Sequence, residues 1–276
     1  MVQHMTVIDE NKNEIQLRIF AECTCGNLAF ILENPSGRRF TRCSFCGKEY
    51  LEKNGGNMNF LFSIMNRSQY EACMPYSDKI DGVEVCVDKV DREYLDLLHK
   101  YHFKILQFHM PDLVEDDLLV EINKFKKTLL VLHPPDKNVA KMSREIISKT
   151  HHSVTLENLN PTNGKKRLDL DGVCKVVKKV KGLGLCWDIG HENQTRYNYS
   201  TPITPQNVHL HDFNHTDHQP FYYGNVDYRK AMEYLTKTGY KGNVVVEFAF
   251  EYLHGDTMGE KIQEYLKQIS MIRGST

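Results

Sequence analysis

The chain has 276 residues, 41% hydrophobic and 26% charged, with a formal net charge of −1. That balance is ordinary for a globular protein, and it excludes a global electrostatic pull toward nucleic acid or acidic lipid. No apolar run approaches the roughly 20 residues of a membrane span, and residues 1–14 lack the apolar core of a signal peptide. A cytoplasmic protein with no membrane partner is therefore expected. Its eight cysteines should stay reduced and serve as metal ligands or buried residues rather than disulfides.

In chain order, four cysteines come first. Cys23 and Cys25 form one pair and Cys43 and Cys46 another, followed by Gly26 and Gly47, whose freedom permits the tight turns that aim two sulfurs at one point. Strand-like runs lie at 15–20, 28–32, 39–41 and 49–51. Hairpins that each offer two thiolates suit a tetrahedral Zn²⁺ site, and a segment this short needs a staple to fold. Residues 1–55 therefore read as a zinc ribbon, although the first pair is tighter than the usual Cys-x-x-Cys spacing. The polar stretch 53–57, with Gly55 and Gly56, marks the boundary to a second domain at 58–276.

Beyond it, strand and helix patterns alternate. Apolar or β-branched runs fall at 59–64, 82–87, 104–108, 128–132, 153–156, 183–187, 207–210 and 243–246. Amphipathic stretches fall at 91–101, 115–126, 139–150, 168–180, 227–238 and 258–272. Residues 192–206 are polar, contain two prolines and show no helical period, so the helix there should be short or missing. Eight buried strands with intervening helices imply a parallel sheet closed into a (β/α)₈ TIM barrel. Cys73, Cys86, Cys174 and Cys186 have no partner spacing and read as core residues.

In such a barrel the C-terminal strand ends converge on one face. The third strand runs into His109, the fourth into His133, the fifth into Glu157 and Asn158, and the sixth into Asp188 and His191. The seventh carries His209, His211 and Asp212, with His218 in the loop beyond, and the eighth runs into Glu247. One histidine after a strand is unremarkable, but six successive strands ending in His, Asp or Glu predict a divalent-metal site. Imidazole and carboxylate together suit Zn²⁺, Mn²⁺ or Fe²⁺. His211 shares a face with His209 and reads, with Asp212, as a supporting residue. His151 and His152 start the fifth strand, at the opposite end, and are not expected as ligands. Trp187 reads as packing, and the Lys and Arg residues between 165 and 181 as a solvated helix face. Tyr222 and Tyr223 are candidates for stacking on a sugar or base.

The segments SVTLENLNP, LCWDIGH, VHLHDFN with DHQPFYYGNVDY, and VVVEF resemble the motifs of the xylose isomerase-like barrels. That superfamily includes the family 2 AP endonucleases and many sugar or sugar-phosphate isomerases and epimerases. The resemblance spans about 58–272 and does not include the ribbon. Its isomerases imply a mononuclear centre of Glu157, Asp188, His209 and Glu247. Its endonuclease IV-like members imply three ions, with His109, His133, His191 and His218 as further ligands. This chain departs at Thr216, where the family places an aspartate; Asp217 is adjacent.

One to three ions are thus expected in the barrel. The histidine count favours metal-assisted phosphoester hydrolysis, acting on nucleic acid or a phosphorylated small molecule, with Glu157 bridging two ions. The alternative is sugar or sugar-phosphate isomerisation or epimerisation, with Glu157 and Glu247 moving a proton beside a carbonyl. A non-catalytic binding barrel is the remote third reading. The ribbon is expected to contact nucleic acid or another protein.

Overall fold

The computed structural model describes residues 58–87, 91–100, 103–160, 168–194 and 196–274, except the side chain at 92, together with the backbone of five strands before residue 52. The chain divides into two compact units, Met1–Asn57 and Met58–Thr276.

The first unit holds β1 (His4–Ile8), β2 (Glu14–Glu22), β3 (Leu28–Glu33), β4 (Arg39–Cys43) and β5 (Glu49–Leu51). They form one sheet in sequential order, each pair antiparallel. The strand at His4–Ile8 is additional to the four expected. Cys23, Cys25, Cys46 and the side chain of Cys43 lie outside the described residues, so the expected zinc ribbon and its ion do too. Lys165, Lys166 and Arg167 likewise lie outside them.

The second unit begins with β6 (Asn59–Ile64), α1 (Arg67–Cys73), β7 (Gly82–Cys86), α2 (Arg92–Lys100), β8 (Leu106–His109), α3 (Asp116–Ile122), β9 (Leu129–Leu132) and α4 (Val139–Lys149). It continues through β10 (Ser153–Glu157), α5 (Leu170–Lys179), β11 (Leu183–Asp188), α6 (Ile189–Asn193) and β12 (Asn207–Leu210). A hairpin of β13 (Asp212–Asn214) and β14 (Thr216–Gln219) precedes α7 (Tyr228–Lys237), β15 (Asn243–Val246) and α8 (Met258–Arg273). Strands β6 to β12 and β15 close in sequential order into a barrel, every neighbouring pair parallel. This is the expected (β/α)₈ architecture.

Strand residues alternate between the barrel interior and the helix layer. Trp187 faces outward, fully buried, and meets Tyr234 of α7 edge-on with ring centroids 5.5 Å apart. The adjacent Asp188 faces inward. Closure of the barrel is reinforced from α8. The Tyr265 hydroxyl donates to the Val246 carbonyl on the last strand and accepts from the Ser63 amide on the first, at 3.1 Å, while its ring stacks on Phe62. Side-chain N-caps start several of the helices. Thr257 and Glu260 form a capping box on α8, and Asp169 accepts from the Gly172 amide on α5. Among the described residues no helix is long and apolar enough to cross a membrane. Cys73, Cys174 and Cys186 are buried free thiols, whereas the half-buried Cys86 lines the pocket described next.

Candidate metal centre

The parallel barrel brings the expected strand-end residues together in three neighbouring groups, two of which share Glu157. Glu157 closes β10, Asp188 closes β11, His209 sits in β12, and Glu247 directly follows β15. One potential ligand atom from each lies within 4.8 Å of the other three. His109, at the end of β8, and His133, just beyond β9, form a second group that shares Glu157. His191 of α6, His211 between β12 and β13, and His218 of β14 form a third. All eight expected ligands therefore fall within one constellation, and His211 joins it directly.

Glu157 is the hub. Its Oε2 accepts from His109 Nε2 at 3.1 Å and lies 3.6 Å from His133 Nε2. Its Oε1 is 3.5 Å from His191 Nδ1 and 3.6 Å from His209 Nδ1. On the other side His209 Nδ1 is 3.2 Å from Glu247 Oε2. Burial alone would push the Glu157 carboxyl up, but the surrounding His209, His109 and His191 outweigh it and hold the group well below the usual carboxylate range. Glu247 is likewise pushed up by burial and pulled down further by His209, ending at about 2. Burial works against the charge of His109, yet its bond to Glu157 raises it to about 9. His218, pressed by burial and by His211, falls to about 4.

Local backbone chemistry places these groups. Asp188 caps α6, its Oδ1 accepting from the His191 amide at 2.7 Å, which ties two ligands of one Asp-x-x-His segment together. Asn158 clamps β10 to β11: its Nδ2 donates to the Asp188 carbonyl and its Oδ1 accepts from the Asp188 amide, both at 2.8 Å. Gly190 lies against the His211 ring, where a Cβ would stand 2.3 Å from Cε1. His218 adopts a left-handed backbone, φ 59°, a conformation rare outside glycine and enriched at functional positions.

The donor set fits a metal ion. Asp188 Oδ2, His209 Nδ1 and His211 Nε2 are buried polar atoms without a hydrogen-bond partner. Each such atom costs about 1–3 kcal/mol unless something satisfies it, and mixed imidazole and carboxylate donors suit a transition-metal or zinc ion.

Other expectations resolve as follows. Asp217 stands at the edge, its Oδ2 3.8 Å from His191 Nε2 and its Oδ1 accepting from Gln194, so the third group is completed by His211 instead. Asp212 turns its carboxylate to the Phe213, Gly224 and Val226 amides and organises the loop after β12. His152 is used up by the Thr128 amide and the Ile122 carbonyl. Tyr222 stacks on His254 and donates to Glu264. Two residues escaped the sequence reading. Asp112 accepts from His133 Nδ1 at 2.7 Å, and the fully buried Glu84 meets His209. A single charged residue inside the apolar run of β7 is the signal that marks Glu84, because an isolated carboxylate is almost never fully buried without a partner.

Residues 133–273 match the xylose isomerase-like TIM barrel family. The chain belongs to that family. Among solved structures, D-allulose 3-epimerase from Methylomonas sp. is similar at 12% identity and a TM-score of 0.60, covering 80% of this chain and 100% of that one. D-psicose 3-epimerase from Clostridium cellulolyticum H10 is similar at 16% identity and 0.56, covering 78% and 99%. An L-ribulose 3-epimerase is similar at 12% identity and 0.57, covering 79% and 96%. At these identities the likeness is one of fold. No curated protein matches the chain.

Proposed function

We propose that this barrel is a divalent-metal-dependent isomerase or epimerase of a neutral sugar. The observation that carries the choice is the charge of the pocket. A cavity of about 1450 Å³ opens over the centre, and its wall includes Asp112, Glu115, Asp117, Glu121 and Glu251. Among the described residues no lysine or arginine lines it. Phosphate oxygens need cationic or N–H donors, whereas sugar hydroxyls donate readily to carboxylates and unprotonated imidazoles. The fold shared with ketose 3-epimerases supports the same reading. Phosphoester hydrolysis, which the histidine count alone favours, therefore moves to second place.

A divalent ion held by Glu157, Asp188, His209 and Glu247 would polarise a substrate carbonyl and the hydroxyl beside it. The chain's own residues supply the rest. Glu157 and Glu247 reach the centre from β10 and β15, strands separated by two others, and His209 lowers the pKa of both, so each is ionised near neutrality. One removes a proton from the carbon next to the carbonyl, and the other, after taking up a proton from solvent, returns it to the opposite face. His109 and His133, one wall of the pocket, orient the hydroxyls.

The second reading retains one specific support. Glu157 is shared by more than one ligand group and a three-histidine group stands beside them, a layout with capacity for more than one ion and hence for hydrolysis. The two readings separate on exchange and metal content. Incubating the full chain with a ketose panel in D₂O should place deuterium on the carbon beside the carbonyl and form the epimer or aldose. His109→Ala and His133→Ala should keep the four-ligand ion and mainly raise KM. Turnover of abasic-site DNA or phosphodiesters without ketose exchange, with metal lost in both variants, would overturn the isomerase reading.

A further inference from the structure

Glu84 lies in β7, fully buried inside the barrel beneath the centre. Its carboxyl group is enclosed by polar side chains from other strands. Gln107 Nε2 of β8 and Asn207 Nδ2 of β12 both donate to Glu84 Oε2. The amides behind them run in one direction. Asn59 Nδ2 of β6 donates to Asn243 Oδ1 of β15 at 3.0 Å, and Asn243 Nδ2 donates to Gln107 Oε1 at 2.8 Å. Four strands thus orient their donors toward one buried carboxylate. Its remaining neighbour is His209, whose Nε2 lies 3.1 Å from Oε1 and 3.3 Å from Oε2. Gln107 and Asn207 already address Glu84 as donors, so the carboxylate meets His209 Nε2 as an acceptor. The opposite nitrogen, Nδ1, faces Glu247 and Glu157 and has no hydrogen-bond partner.

We propose that Glu84 is the positioning residue of the centre: it holds His209 with its proton on Nε2 and presents the Nδ1 lone pair to the four-ligand group. The inference rests on the four-ligand centre of the proposed function, not on which reaction that centre performs. Glu84 meets the four-ligand group through its contact with His209. A carboxylate so placed fixes the ring's tautomer and orientation and raises its basicity toward a cation. An amide at this position could not serve as well: its oxygen could keep the bonds made to Oε2, but its NH₂ would then stand where Oε1 lies, 3.1 Å from His209 Nε2.

The test uses the full chain, ¹⁵N-labelled at histidine and loaded with Zn²⁺. In the wild type, His209 should show a slowly exchanging, downfield proton on Nε2 and a metal-shifted Nδ1, assigned by their loss in His209→Gln. In Glu84→Met that proton signal should vanish, and the affinity of the His209 site for Zn²⁺, read by chelator competition, should fall about 10–100-fold. Glu84→Gln keeps one acceptor oxygen and should recover part of both. Glu84→Met with unchanged Nε2–H and affinity would overturn the role of Glu84 while leaving the centre intact. Zn²⁺ bound through Nε2 in the wild type would overturn it without any variant, even if the variants fail to fold. No Zn²⁺ signature at His209 at all would overturn the centre and this inference together.

Discussion

Replacing Asn158 with alanine tests how the centre is held. Asn158 is 1% exposed, and its side chain satisfies both the amide and the carbonyl of Asp188. Alanine strands both backbone groups where the ends of β10 and β11 meet. Each stranded group costs about 1–3 kcal/mol. Water from the adjacent cavity can reach one of them, so a loss of about 3 kcal/mol is the central expectation. For a domain of about 150–250 residues, that lowers Tm by roughly 6–12 °C. The effect should not stop at stability. Asp188 both caps α6 and belongs to the four-ligand group, so a loosened Asp188 amide shifts a ligand and the His191 segment together. Differential scanning calorimetry and metal titration of Asn158→Ala measure both effects. A Tm within about 2 °C of the wild type, with unchanged metal affinity, would refute the clamp. The strand ends would then be held by the β ladder alone.

Two further outcomes follow from the geometry. Gly190→Ala places a Cβ 2.3 Å from the His211 ring. Overpacking at such a contact costs about 1–3 kcal/mol, and His211 should leave the three-histidine group, seen as a lower Tm and a displaced His211 resonance; a wild-type melt and spectrum would contradict this. Glu157→Gln and Glu247→Gln should each reduce proton exchange on the active ketose by at least about 100-fold, with the protein still folded by circular dichroism. Near-normal exchange in either variant would locate the reaction elsewhere.

How far the structure was legible depends on what each residue does. The runs 59–64, 207–210 and 243–246 coincide with β6, β12 and β15, because strands buried on both faces read as continuous apolar runs. At the third, fifth and sixth strands the apolar run stops one residue early. There the ladder continues through the ligands themselves: Cys86 pairs with His109, Glu157 with Cys186, and Asp188 with His209. The functional residues were thus visible as endings but not as strand. Helix α1 went unread because its buried face is Gln69, Tyr70 and Cys73, with no apolar repeat. The β13–β14 hairpin is polar and turns at His215, φ 63°, a residue with no turn signature. His211 joins the third group only because that hairpin folds His218 back onto it, which spacing along the chain cannot reveal. Glu84 matters through residues 23 and 125 positions away, Gln107 and His209, and only the closed barrel brings them together.

Charge ties the centre to its substrate. Glu84, Glu157, Asp188 and Glu247 are all at most 5% exposed. Glu84 is balanced by amide donors and the His209 Nε2–H. The other three have mainly imidazoles around them. Protonating those rings offsets the carboxylates but buries further charge, and each buried ion carries its own desolvation cost of several kcal/mol. A divalent cation resolves this more economically, since it neutralises two carboxylates and lets the rings act as lone-pair donors. The number of ions then sets the sign of the site. Three carboxylates with one divalent ion stay net negative, and the acidic pocket wall deepens that potential, which repels a phosphate and leaves neutral hydroxyls as the natural ligands. A second or third ion, bound through the histidine groups on either side, would turn the same constellation net positive and make an anionic substrate favourable. Ion count and substrate charge are therefore one variable in this barrel, and a protein that binds a single ion yet prefers a phosphorylated substrate would break the connection.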